Sequence, residues 1–162
     1  LASPMAFDYV PAMTPEFFGP THIDFEQVKC LTHAMMALAR VDGVHDSEMS
    51  LIREFYGSCS RDGDPELEEV AKGDFDPARA KALFGGDGEH RDIFVKSLVL
   101  LAYADGEYGE REDRVIRDLA QAVGLSDGDV DRLKGATQEY LLSSLAHIKN
   151  VEALREVQRK LQ

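Results

Sequence analysis

The chain has 162 residues and carries 30 acidic against 18 basic side chains, which gives a formal net charge of −12. This length suffices for one domain with a substantial core, and the composition is that of an ordinary globular protein. The negative charge would repel phosphate backbones and argues against nucleic-acid binding. It suits a metal cation or a basic partner, although acidic surfaces also simply keep proteins soluble.

The two cysteines, Cys30 and Cys59, have no CxxC spacing and no His/Cys grid for zinc, which favours free thiols over a metal site or a disulfide. No segment reaches the roughly 18 apolar residues of a membrane span. The N-terminus also lacks the basic and apolar regions of a signal peptide. We therefore expect a cytoplasmic protein with no direct membrane span.

Residues 1–23 contain four prolines with aromatic side chains between them, a density of proline that forbids a continuous helix. One interpretation is an extended arm that lies in a groove of this molecule or of a neighbour, which would link chains into a homo-oligomer. A disordered leader is the alternative.

Residues 24–162 predict an all-α domain of about eight or nine short helices. The apolar residues recur at helical spacing, and no stretch alternates with period two for long enough to form a strand. The segment RDIFVKSLVLLAYA is apolar nearly all round and should lie at the centre of the fold. Capping residues predict helix starts at Asp24, Asp46, Asp64-Pro65, Asp76-Pro77, Gly109 or Glu110, Ser126, Thr137 and Asn150.

The central part of the chain contains an internal repeat. CLTHAMMALARVDG aligns with IFVKSLVLLAYADG, and after a gap of one residue SEMSLIREF aligns with REDRVIRDL. Each unit reads as a buried helix, an Asp-Gly turn and a second, acid-rich helix. We expect two such hairpins to pack face to face as a duplicated bundle, with small alanines letting the central helices approach closely.

Four acidic side chains around the two Asp-Gly turns are the candidate site. Gly43 and Gly106 can end the preceding helices, and Glu48 and Glu112 suit the positive start of the helices that follow. Asp42 and Asp105 fit less well, because a helix C-terminus disfavours negative charge. They either brace their own turns or bind a cation together with Glu48 and Glu112.

The repeat resembles the TerB-like tellurite-resistance family, through ALARVDGVHDSE and, more closely, LAYADGEYGEREDRVIRDLA. The resemblance spans residues 24–162. It implies a duplicated all-helical fold, paired acidic residues that chelate metal, and no enzymatic activity. In the first unit Glu48 arrives one residue early relative to Asp42, so we expect it to point differently from Glu112. Asp42, Asp105 and Glu112 are thus the stronger candidates.

The favoured function is a non-enzymatic stress-response module that binds a divalent cation (Ca²⁺, Mg²⁺ or Mn²⁺), a protein partner, or both. One alternative is a carboxylate–metal hydrolase, although no catalytic base or phosphate clamp stands at a recognisable spacing. The other is a scaffold or co-chaperone-like interaction domain without a small ligand. His33 is expected to be a hydrogen-bonded core histidine, whereas His45 could join the first acidic turn.

Overall fold

A computed structural model describes residues 22–104 and 108–161, and for residues 145–151 only the helical backbone. These residues form seven α-helices and one 3-10 turn, Arg40–Asp42, with no strand among them, so the all-α prediction is confirmed. The helices are α1 (Phe25–Ala39), α2 (Asp46–Cys59), α3 (Leu67–Val70), α4 (Pro77–Phe84), α5 (Gly88–Ala102), α6 (Glu110–Ala122) and α7 (Asp127–Lys160). The predicted N-terminal arm lies outside the described residues, apart from His22 and Ile23.

Several helix starts follow the predicted capping chemistry. Asp24 accepts a hydrogen bond from the backbone N–H of Gln27, whose side chain accepts one from the N–H of Asp24 in return. Asp76 accepts from the first turn of α4, with Pro77 at its first position, and Ser126 caps α7. Each such cap stabilises its helix by about 1 kcal/mol, because it satisfies an N–H that has no partner within the helix.

The predicted helix start at Asp64-Pro65 is wrong. The Asp64 carboxylate accepts a hydrogen bond from the backbone N–H of Arg61 and closes a tight turn. The Pro65 carbonyl accepts from the hydroxyl of Tyr56, and α3 begins only at Leu67. The same Asp-Pro pair therefore makes a turn here and a helix start at α4, because the surrounding contacts differ.

Helix α5 is central, as its apolar sequence predicts. Its side chains from Ile93 to Ala102 are almost all buried, and the helix packs against α1, α2, α4, α6 and α7. The alanines Ala34, Ala39 and Ala102 are at most 1% exposed, as expected of small residues between closely packed helices. The buried side chains of the helices form one hydrophobic core.

The C-terminal region forms one helix where three were predicted. Helix α7 has 34 residues and runs through Thr137 and Asn150, so neither begins a helix. Thr137 is buried, and its hydroxyl donates to the carbonyl of Leu133, one turn earlier in the same helix. A threonine can cap a helix or bond back to it, and the local sequence does not decide between the two.

Two helical hairpins place the acidic turns. Helix α1 leads through the 3-10 turn and Gly43 into α2, and α6 follows α5 after the segment that contains Asp105 and Gly106. The internal duplication itself stays a prediction. Within the described part of the chain, no helix is both long and apolar enough to cross a membrane.

Candidate functional site

The first acidic turn ends α1 in the way its glycine predicts. After the 3-10 turn, Gly43 adopts a positive φ of 82°, which side chains with a Cβ rarely tolerate. The chain then turns directly into α2. The corresponding residues of the second turn, Asp105 and Gly106, lie outside the described residues, so the predicted meeting of Asp42 and Asp105 stays a prediction.

Glu48 is the third residue of α2 and is only 4% exposed. Its carboxylate accepts a hydrogen bond of 3.1 Å from the backbone N–H of His45, the residue that precedes the helix. The carboxylate is therefore turned back toward the acidic turn rather than out into solvent. His45 contributes this backbone N–H to the arrangement.

Glu112 occupies the same place in α6. It is the third residue of that helix and is 8% exposed. Its carboxylate lies over Gly109, where a Cβ would come within 3.3 Å of it. Glu48 and Glu112 thus hold the same position counted from their helix starts, whereas their directions relative to Asp42 and Asp105 stay a prediction, because Asp105 lies outside the described residues.

Asp42, at the first acidic turn, makes an ion pair with a residue at the start of α6. Its carboxylate lies 3.5 Å from the guanidinium of Arg111, and the two side chains are 44% and 76% exposed. Arg111 immediately precedes Glu112, so the contact brings the first acidic turn beside the helix start that holds Glu112. Sequence analysis missed Arg111, which stands among the acids Glu110, Glu112 and Asp113.

The described carboxylates do not by themselves complete a metal centre. Within residues 22–104 and 108–161, no group of three or more His, Cys, Asp or Glu side chains has an arrangement that could hold an ion. A cation beside Asp42 or Glu112 would thus need a further ligand, such as Asp105 from the segment outside the described residues. Oxygen ligands of this kind suit hard divalent cations.

A second polar cluster joins α6 to α7. The hydroxyl of Tyr108 donates to Asp113 at 2.8 Å, and Arg117 donates to the other oxygen of Asp113 at 2.7 Å. Lys134 lies 3.7 Å from Asp113 and 4.2 Å from the centre of the Tyr108 ring, a cation–π contact. Arg117 also pairs with Asp131 at 2.7 Å. We call these five residues the α6–α7 cluster.

The electrostatics of this cluster follow from its pairing. Burial raises the pKa of Asp113, but the hydrogen bonds from Arg117 and Tyr108 and the charge of Arg117 outweigh it, so the net pKa is lowered. Burial and the hydrogen bond to Asp113 raise the pKa of Tyr108. A cleft of about 370 Å³ borders the cluster and is lined by Tyr108, Asp113 and Lys134, among others. Because these groups satisfy one another, the cluster is best explained as a structural junction.

His33 and the two cysteines, the other candidates from the sequence, lie in structural settings. A ring nitrogen of His33 lies 2.8 Å from the carbonyl of Val70, which confirms the predicted hydrogen bond, although the side chain is half-buried rather than in the core. Cys30 and Cys59 are free thiols, as predicted. Burial raises the pKa of Cys30 to about 11, so its thiol is a poor nucleophile at neutral pH.

Comparison with known proteins identifies one family. Residues 67–135 match the family model described as tellurite resistance protein TerB. The matched segment runs from α3 into α7 and contains the second acidic turn, Glu112 and the α6–α7 cluster, whereas Asp42 and Glu48 precede it. Comparisons with curated proteins and with solved structures gave no match. Over residues 67–135 the chain is therefore similar to the TerB family, and its described residues have the all-helical fold which that resemblance implies.

Proposed function

We propose that this TerB-like chain is a non-enzymatic module that binds a hard divalent cation, Ca²⁺, Mg²⁺ or Mn²⁺, at its acidic corner. The proposed ligands are Asp42, Asp105 and Glu112, with Glu48 beside them. The observation that carries the proposal is the 3.5 Å contact between Asp42 and Arg111, because it brings the first turn against the start of α6.

The chemistry of the corner supports a cation. Asp42 already pairs with a positive group, the guanidinium of Arg111, which would have to give way to a bound ion. Glu48 and Glu112 are buried at the first turns of their helices, so packing fixes their positions before any ion binds. The net charge of −12 also raises the local concentration of cations around the protein.

The hydrolase alternative has less support. A metal-dependent hydrolase needs a group that binds or protonates its substrate in addition to the metal ligands. In the described part of the chain, Lys134 and Arg117 are paired with the carboxylates of the α6–α7 cluster. No arrangement of the described residues favours catalysis over binding.

Isothermal titration calorimetry of the full chain with Ca²⁺, Mg²⁺ and Mn²⁺ tests the proposal. The wild type is expected to bind at least one ion with a stoichiometry of about one, since the two turns would form one corner. An ion at 100 times its Kd should also stabilise the fold by about 2.7 kcal/mol, visible as a higher melting temperature. The double variant Asp105→Asn, Glu112→Gln is expected to lose both effects.

A matched control makes the same two chemical changes elsewhere. Asp62→Asn with Glu66→Gln removes two exposed carboxylates near α3 and should leave the binding heat unchanged. If the control loses as much binding as the corner variant, the ions bind only through the overall negative charge of the protein. Absence of any cation-dependent heat or melting shift in the wild type would end the proposal.

The cellular setting is a further part of this proposal. The family description refers to tellurite resistance, and on that ground we place the module in a cytoplasmic stress response with a protein partner. Survival of a tellurite-sensitive bacterium expressing the wild type or the Asp105→Asn, Glu112→Gln variant tests the setting. Equal survival without the chain, with the wild type and with the variant would contradict it.

A further inference from the structure

The outer half of α7, residues 142–161, extends beyond the packed body of the protein. Among the described residues of α7, Thr137 is the last that is buried, and Tyr140 and Leu141 are the last that pack against the hydrophobic core. All side chains from Glu152 to Leu161 are exposed. An unsupported helical segment of this length is only marginally stable in water. A partner that packs along it would therefore stabilise it.

An apolar stripe runs along this outer half. Its four large side chains are between 53% and 82% exposed: Leu142, Leu154, Val157 and Leu161. At 100° per residue, all four lie within a sector of about 120° of the helix surface. Thr137 and Leu141, which face the core, lie on the opposite side of the helix. These four residues, which we call the α7 stripe, therefore point away from the body of their own chain.

Opposite charges stand at the two ends of the α7 stripe. Glu139 lies at one end, before Leu142, and Lys160 lies at the other. Both fall in the same sector of the helix as the stripe, and both are exposed. Neither makes an ion pair with another described residue. A second stripe that runs in the opposite direction is thus complementary in charge, whereas a parallel one would bring like charges together.

We propose that two copies of the chain pair through their α7 stripes, in antiparallel orientation about a two-fold axis. Leu142 of each copy then packs opposite Leu161 of the other, and the two contacts are about 28 Å apart. In the same register, Glu139 of one copy and Lys160 of the other are separated by about 6 Å along the helix axes, which the long lysine side chain can span. The symmetry supplies each of these contacts twice.

The charge of the whole chain suits this arrangement. Each copy carries a net charge of −12, so two bodies repel each other at close range. Overlap of the outer halves alone leaves the bodies at opposite ends of the pair, about 28 Å apart, whereas physiological salt screens charges beyond about 8 Å. The same negative charge disfavours an anionic lipid surface as the occupant of the stripe, because that surface would repel the body.

Sedimentation equilibrium of the full chain tests the proposal. The mass of the wild type should rise with concentration from 18.0 kDa toward twice that value. The variant Leu154→Ser, Val157→Ser should weaken the dimer roughly hundredfold, because four apolar side chains per dimer lose their burial. It should unfold at the same temperature as the wild type when both are monomeric, since these side chains are exposed in the single chain. The control Val44→Ser removes an exposed apolar side chain elsewhere and should leave association unchanged.

A charge exchange tests the antiparallel orientation. Lys160→Glu should weaken the dimer roughly tenfold, because it turns two attractions between the copies into repulsions. The double variant Glu139→Lys, Lys160→Glu restores opposite charges across the interface and should recover most of the wild-type affinity. Arg155→Glu makes the same change of charge on the far side of the helix and should have little effect.

Three outcomes would overturn the proposal. A wild type that stays monomeric up to about 1 mM, where even weak pairs associate, has no such interface. A dimer that Leu154→Ser, Val157→Ser leaves intact has its interface elsewhere. Equal weakening by the single and the double charge variants would exclude the antiparallel pairing of Glu139 with Lys160.

Discussion

Replacement of Arg117 by alanine should destabilise the protein by about 2 kcal/mol. The guanidinium makes hydrogen bonds of 2.7 Å to both Asp113 on α6 and Asp131 on α7. Hydrogen bonds to charged groups contribute about 1.5–3 kcal/mol each when shielded from water, but exposed ion pairs contribute at most about 1 kcal/mol. Asp113 is 25% exposed and Asp131 is 65% exposed. The first pair therefore supplies most of the effect.

For a chain of this size, a loss of about 2 kcal/mol lowers the melting temperature by roughly 4–8 °C. Thermal unfolding followed by circular dichroism measures the shift. Added salt should reduce the difference in melting temperature between wild type and variant. Screening weakens both the attraction of Arg117 for its carboxylates in the wild type and the repulsion among these carboxylates in the variant.

Arg53 provides a matched control. It aligns with Arg117 in the repeat, but it pairs with Glu68 where both side chains are about 60% exposed, at 59% and 63%. Arg53→Ala should therefore shift the melting temperature by less than about 4 °C. If Arg117→Ala costs no more than Arg53→Ala, the assignment of the α6–α7 cluster as a structural junction is wrong.

Two further predictions concern pH and the acidic corner. Because Arg117 and Tyr108 lower the pKa of Asp113 on balance, this carboxylate contributes stability above about pH 4, which is lost as the pH falls through its folded-state pKa. In urea unfolding between pH 2 and 6, Asp113→Asn should therefore flatten the dependence of the unfolding free energy on pH. An unchanged slope of unfolding free energy against pH would contradict this prediction. At the acidic corner, Arg111→Gln should tighten cation binding severalfold in calorimetry, because the guanidinium competes with the ion for Asp42. The melting temperature without the ion should stay nearly unchanged, since the Arg111–Asp42 pair is exposed. Weaker binding would show that Arg111 does not compete with the ion.

Local patterns in the sequence predict much of the helical framework. The buried α5, the caps at Asp24, Asp76 and Ser126, and the turn at Gly43 each depend on residues close together in the chain. Such features follow from spacing and from single side chains that satisfy nearby N–H groups. Predictions of this kind are confirmed wherever no distant contact competes.

The errors arise where tertiary packing decides between two local choices. Thr137 has the chemistry of a cap, but its burial against the core turns the hydroxyl back into a continuous α7. Asp64 could begin a helix, but Pro65 accepts the hydroxyl of Tyr56 and the helix starts later. Only the folded chain contains these contacts, so spacing alone could not reveal them.

The candidate site was predicted only in part, for the same reason. The Asp-Gly repeat singled out Asp42 and Glu112, and Glu48 holds the same third position in its helix as Glu112 does. The Arg111–Asp42 contact joins positions far apart in the sequence. Arg111 stands among acids at the helix start, but so does Arg114, so the local sequence does not single out Arg111.

A crystal structure of the full chain grown with Mn²⁺ tests the central claim most directly, because anomalous scattering locates the ion. We predict one Mn²⁺ between the two turns, with the carboxyl groups of Asp42 and Asp105 within about 8 Å of each other and metal–oxygen distances of about 2–2.6 Å. Two Asp-Gly turns on opposite sides of the molecule, with no ion bound between them, would contradict the account.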